Sequence, residues 1–414
     1  MKKLKNPKKC REIGLLLLLL AAGIALAAAL MLGTAALPAS AVREHVRLSA
    51  ELLSREGLVS FAIPGYTQSR LDNFTDALML SGAVLAPYDS LPENAMLNER
   101  FSGYDPLSAL RAWLDGASPA TEPYSRYWHG YLLILKPLLL VFSLGSIRYL
   151  LAAAGILLSL LLAARLSGAG IGAQAAFFVL LTALCPPALM NSLHYAPCAL
   201  IALAAGLYIL RGRARLPLPA LFLLTGMATA FFDFLTFPAL TLVLPLSLYA
   251  LQRKDARLSH LLLSLFMAAA AWALGYAGMW AGKWLAGSLL TGRNLFSDAL
   301  STLRTRTAAL DADGDAVPIF AGFLACLRTL MSPITAASFL VTFLCLLLPA
   351  VRRGAFRSQA ERARRLSLAL IALIPILWTL LACNHSLEHS FFAYRSLAAS
   401  VFPLLLAVSP PAKS

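Results

Sequence analysis

Charge is scarce in this chain. Asp, Glu, Lys and Arg make up 13% of its 414 residues, about half the share of a soluble domain. With 59% hydrophobic residues and a mean hydropathy of +0.73, that scarcity excludes an ordinary soluble enzyme of two or three domains. Acids are the rarer sign, 20 against 35 basic residues. The six cysteines show no C-x-x-C and no paired spacing, so neither a disulfide framework nor a zinc ribbon is expected. Cys185, Cys198, Cys345 and Cys383 fall in or beside apolar segments, where cysteine behaves as a small hydrophobe. No Walker motif is present, so nothing points to ATP. "GAGIG" (168–172) has no strand before it and reads as a turn. "DADGD" (311–315) opens like a calcium loop but has Phe320 where the bidentate Glu belongs, and it too reads as a turn. No internal repeat is evident.

What the chain has in abundance is apolar runs. The first, from Ile13 to about Leu37, follows a basic start and is too long for a cleaved signal; an uncleaved anchor is expected. Later runs lie near 146–166, 171–189, 195–211, 216–233, 236–251, 259–282, 333–351, 366–382 and 395–409. A span needs roughly 20 apolar residues, so the expectation is an all-α polytopic bundle of about ten spans. This is a single membrane domain over 1–414: a first span at 13–37, an external loop at 38–145, spans two to seven at 146–282, a second loop at 283–332 and spans eight to ten at 333–409. The stretch 129–142 is short and holds Lys136 and Pro137, so it is expected to lie at the interface.

Charge orients this threading. The segments assigned to the cytoplasm, "RGRAR" (211–215), "QRKDAR" (252–257) and "RRGAFRSQAERARR" (352–365) among them, hold 20 of the 35 basic but only 3 of the 20 acidic residues. That is the positive-inside pattern. It accounts for the net charge of +15 without nucleic acid, puts both termini in the cytoplasm and fits a bacterial plasma membrane.

The unusual polar residues then collect on the other face. "RLDNFTDALML" (70–80) places Asp72 in an N-cap-like position and Asp76 one turn on, on the same helical face. The plain reading is a helix start with solvated acids. Asp233 in "FFDFLTFP" (231–238) sits at the end of a span, where an ionised carboxylate must be paired or face a wet cavity. Arg395 heads the last span among aromatics and suits a phosphate, or else it snorkels. Asn191 and His194 come from "MNSLHY", and Asn384, His385 and His389 from "CNHSLEHSFFAYR". "HSLEH" has the spacing of an inverted zinc peptidase, but no acid or His follows to complete the ligand set. A looser divalent-metal role for the two histidines remains; otherwise no cofactor is expected. "NFT" (73–75) is a glycosylation sequon. The tyrosines and Trp128 of "RYWHGY", with Phe391 and Phe392, read as an aromatic belt or as a sugar platform.

The layout resembles the GT-C superfamily of membrane glycosyltransferases, which includes the protein O-mannosyltransferases and the aminoarabinose transferases. Asp72 and Asp76 occupy the place of that family's first-loop acid. The run 127–166 is similar to its "HPPL…lfG…R" stretch at His129, Gly145 and Arg148, with Gly130 and Tyr131 in place of the prolines. The resemblance implies transfer of a sugar from a polyprenyl phosphate to an envelope glycan, lipid or protein, at the outer face. Asp72 or Asp76 would be the base. Arg70, Arg395 and the arginines of 293–306 would hold the lipid phosphate, and Asn191, His194, Asp233, Asn384 and His385 the sugar. His129 and His389 would line the same cavity. The rival expectation is a transporter or flippase for a lipid-linked precursor, with Asp233 and the histidines as coupling sites.

Overall fold

A computed structural model describes residues 7–103, 105–212, 215–253, 257–307, 318–352 and 358–410. The "DADGD" turn (311–315) and parts of the three basic loops lie outside the described residues. The chain opens with α1 (Pro7–Ala35) and then builds a layer of short pieces: α2 (Ala39–Glu56), α3 (Asn73–Val84), α4 (Leu91–Leu97), α5 (Pro106–Leu114) and α6 (Leu132–Leu138). Within this layer β1 (Arg100–Phe101) pairs antiparallel with β2 (Thr121–Glu122). The bundle continues with α7 (Leu144–Leu166), α8 (Ile171–Leu184), α9 (Pro186–Leu189), α10 (Ala196–Leu210), α11 (Leu218–Phe232), α12 (Ala239–Gln252) and α13 (Leu258–Thr291). Then come α14 (Phe296–Thr307), α15 (Ala321–Leu330), α16 (Pro333–Arg352), α17 (Gln359–Leu381), α18 (Cys383–Glu388), α19 (Ser390–Ala398) and α20 (Val401–Val408).

Six helical segments are long and apolar enough to cross a membrane: Arg11–Ala35, Leu144–Ala169, Leu258–Thr291, Pro333–Arg352, Gln359–Leu381 and Ser390–Val408. The protein is a multi-pass helical membrane protein by that measure. All ten apolar runs are helical, but α8, α10, α11 and α12 hold only 14 or 15 residues. At about 1.5 Å per residue they reach roughly 21–23 Å, short of a hydrocarbon core of about 30 Å. Two boundaries also move. Helix α13 runs through 283 to Thr291 and ends on Gly292 at φ 68°, the left-handed stop that glycine adopts freely. The last helical segment starts at Ser390 rather than 395. Helix α6 has seven residues, about 10 Å, and is too short to cross.

The helices that hold the site are placed by caps and by glycines. Asp72 caps α3 by accepting the Thr75 N–H at 3.1 Å, and Asp105 caps α5 by accepting from Leu107 and Ser108. Helices α11 and α13 pack backbone to backbone. A Cβ on Gly226 would lie 2.2 Å from the Trp272 carbonyl oxygen, and one on Gly275 2.2 Å from that of Leu223; small residues permit such approach between spans. Outward-facing side chains such as Leu18, Ile156, Leu160 and Phe266 are exposed and apolar, as a lipid-facing surface requires.

Candidate functional site

Arg70, Asp72, Arg100, Arg126, His194 and Phe234, with Arg306, His385 and His389, converge on one cavity of about 430 Å³. Its floor carries Asp72. The α3 N-cap turn directs one carboxylate oxygen to the Thr75 N–H. The other lies 2.9 Å from His194 Nδ1. The loop that carries His194 is tied to Asp72 a second time, because the Asp72 N–H donates to Ser192 Oγ at 3.1 Å. Burial alone would raise the Asp72 carboxyl, but the nearby His194 ring and the bonds from Thr75 outweigh it and the pKa falls below the usual range. With Nδ1 turned to Asp72, the Nε2 edge of the ring is left for the cavity that His194 lines.

Four arginines line this cavity, Arg70, Arg100, Arg126 and Arg306, against the single carboxylate of Asp72. Arg70 lies 3.9 Å over the Phe391 ring, and no carboxylate pairs with it among the described residues. Arg306 donates to Glu388 at 2.6 Å and lies 2.9 Å from His389 Nε2. His389 falls to about pH 4 through burial and the nearby Arg306 charge. His385 lies well below its usual range for the same reason, with His389 adding to the effect. Both rings are therefore neutral near pH 7. Their Nε2 atoms part company, since His385 is bonded to the Leu235 carbonyl at 2.8 Å. Among the described residues no group of three His, Cys, Asp or Glu side chains is arranged to hold a metal ion.

A second cavity of about 350 Å³ adjoins the first and shares Arg126, Tyr127 and Arg306 with it. Its other walls are apolar and aromatic, including Tyr276, Trp280, Trp284 and Trp378. The two cavities thus meet at a pair of guanidiniums, with a polar chamber on one side and an aromatic slot on the other.

Of the expected site residues, Arg70, Asp72, His194, Arg306, His385 and His389 line the polar cavity together. The others do not. Asp76 is fully buried beneath α3, 3.4 Å from Arg148 Nη2. Arg148 also bonds Glu56 at 2.7 Å and Asn73 at 3.0 Å, so Asp76 belongs to an ionic cluster behind the cavity wall. Burial, only partly opposed by Arg148, lifts its carboxyl to about 7. Asn73 donates its amide to Glu56 and to the Gly57 carbonyl and is wholly buried, so the sequon has no room for a glycan. Arg395 is fully buried and donates to the carbonyls of Leu184, Gln68 and Phe391; it faces backbone, and the expected phosphate role has no opening. Asp233 is spent on Thr236, accepting from its N–H and hydroxyl. Asn191 donates to the Pro187 carbonyl and Asn384 to that of Thr305. His129, with φ of 57°, bonds the Tyr124 carbonyl at 2.7 Å and supports the aromatic wall from behind; burial holds it near pH 3.

Sequence reasoning passed over Arg100, Arg126 and Phe234. "RYWHGY" stood out for its aromatics and histidine, yet Arg126 and Tyr127 are the residues that reach both cavities. The signal that could have found Arg126 is an arginine directly before an aromatic run.

No family model, no curated protein and no solved structure matches this chain.

Proposed function

We propose that this protein is a membrane glycosyltransferase of GT-C type, moving a sugar from a polyprenyl-phosphate donor to an envelope acceptor. The observation that carries the reading is the junction of the two cavities at Arg126 and Arg306. A lipid-linked sugar phosphate has the same three parts in the same order: an apolar chain for the aromatic slot, an anion for the arginines and a sugar for the chamber holding Asp72. Arginine suits the phosphate because its planar fork matches phosphate oxygens.

In this reading the acceptor hydroxyl attacks the anomeric carbon and its O–H proton passes to the Asp72–His194 pair. The bond from that carbon to the phosphate oxygen breaks, and the phosphate leaves with the electron pair against Arg126, Arg306 and Arg70. Asp72 is preferred to Asp76 as base because only Asp72 lines the chamber. The donor is already activated, so no ATP site is required. We also take the four short helices as spans, giving ten passes with both termini in the cytoplasm of a bacterial plasma membrane and the cavities at the outer face.

The test is release of free polyprenyl phosphate in proteoliposomes offered a panel of polyprenyl-phosphate sugars. Release by the wild type, lost about 100-fold in Asp72→Asn, supports the assignment. Labelled lipid crossing the bilayer with no donor consumed would replace it with a flippase.

A further inference from the structure

A hollow larger than the candidate site's lies elsewhere in the bundle. It measures about 640 Å³ and is lined by Arg165, Arg253, Tyr249 and Gln252 above an apolar floor that includes Leu210 and Leu218. Connectivity places it at the opposite end of the bundle. Helix α7 leaves the Arg148–Asp76 cluster and ends near Arg165. Helix α10 starts just after His194 and ends at Leu210, and α11 starts at Leu218 and ends beside Phe234. Helix α12 starts after Phe234 and ends at Gln252. Three of these four are the short helices, so the hollow forms where the bundle stops early. Its floor is apolar while its rim carries guanidiniums.

We propose that this hollow binds one anionic phospholipid, with its phosphate between Arg165 and Arg253 and an acyl chain on the leucine floor. Charge complementarity selects the headgroup. Among the described residues that line the hollow, the charged ones are Arg165 and Arg253. Arg253 is already set in place, 4.7 Å over the Tyr249 ring, and guanidinium takes phosphate oxygens in bidentate fashion. A zwitterionic lipid would bring its own cation against two others. A free phosphate would satisfy the rim but leave the floor wet. A lipid filling the hollow also compensates the mismatch between helices of roughly 21–23 Å and a thicker bilayer. The proposal is independent of the transferase reading.

The full chain would be placed in nanodiscs of phosphatidylglycerol and phosphatidylcholine in equal parts, released, and weighed by native mass spectrometry. The expected result is one retained phosphatidylglycerol. Arg165→Gln with Arg253→Gln should lower its retention roughly 30-fold, at about a factor of five per basic residue. Leu218→Trp fills the floor without changing charge and should displace the lipid as well. Arg165→Lys with Arg253→Lys keeps the charge, should retain lipid better than the Gln pair, and stands in if the Gln pair misfolds. Equal retention of phosphatidylcholine overturns the proposal. So does lipid loss in the Gln pair with none in Leu218→Trp, which marks mere surface attraction. Displacement by soluble glycerol phosphate would show a site for the free anion and overturns the lipid.

Discussion

Asp72 and Asp76 stand one helical turn apart on α3, and their surroundings differ in almost every respect. Asp72 faces a chamber, shares its charge with a histidine and uses its other oxygen to cap the helix. Asp76 faces inward, is sealed from solvent and meets Arg148, which is itself shared with Glu56 and Asn73. The first arrangement leaves a reactive group within reach of a ligand. The second staples α2, α3 and α7 together, because those three helices supply its members. Two identical side chains on neighbouring turns thus divide into one that lines a chamber and one that joins helices, and the difference is made by what packs against each.

The comparison can be broken, and the largest effect should come from the scaffold side. Arg148→Ala leaves the buried Asp76 and the partly exposed Glu56 without their cation, and should cost about 3 kcal/mol. Thermal unfolding in detergent would read it; a loss below about 1 kcal/mol would mean that the cluster does not hold the outer layer. Next, Asp76 has a raised folded-state pKa, so its protonation adds stability that is complete below about pH 4 and is lost as pH rises through about 7. Wild-type stability should therefore fall across that window, by at most about 4 kcal/mol. Asp76→Asn should flatten the slope; a slope that persists assigns it to other groups.

Asp72→Asn should behave in the reverse way. Asn also caps helices well, so stability should change by less than about 1 kcal/mol, while transfer falls about 100-fold, near 2.7 kcal/mol of barrier. If Asp72→Asn and Asp76→Asn proved equal in both stability and activity, the division between the two turns would be lost. The smallest effect belongs to the rim. Glu388→Gln removes the partly exposed ion pair with Arg306, which should cost about 0.2–1 kcal/mol in stability. It frees Arg306 toward the chamber, so binding of inorganic phosphate, measured calorimetrically, should tighten.

Much of the architecture was legible because a bilayer leaves few options. Each long apolar run became a helix, since backbone groups in hydrocarbon must be satisfied within the segment, and Asp72 capped α3 because its side chain reaches the N–H three residues on. The site was only half legible. Arg395 and Asp233 stood out as ions near membrane depth, yet their partners, the Leu184 carbonyl and the Thr236 N–H, are backbone groups that no side-chain pattern announces. Arg126 was passed over because its role depends on two cavities whose walls come from many distant stretches of chain.

The sequence by itself determined a helical membrane protein with its positive charge gathered in some loops and its polar residues in others, because hydropathy and charge act on each segment separately. Only the tertiary structure decided which of two aspartates opens to a chamber, that a histidine 122 positions from Asp72 sits 2.9 Å from it, and that the short helices leave an arginine-rimmed hollow. Those outcomes depend on which faces meet, and contact between distant segments is set by packing shape and the satisfaction of buried charge rather than by any local pattern.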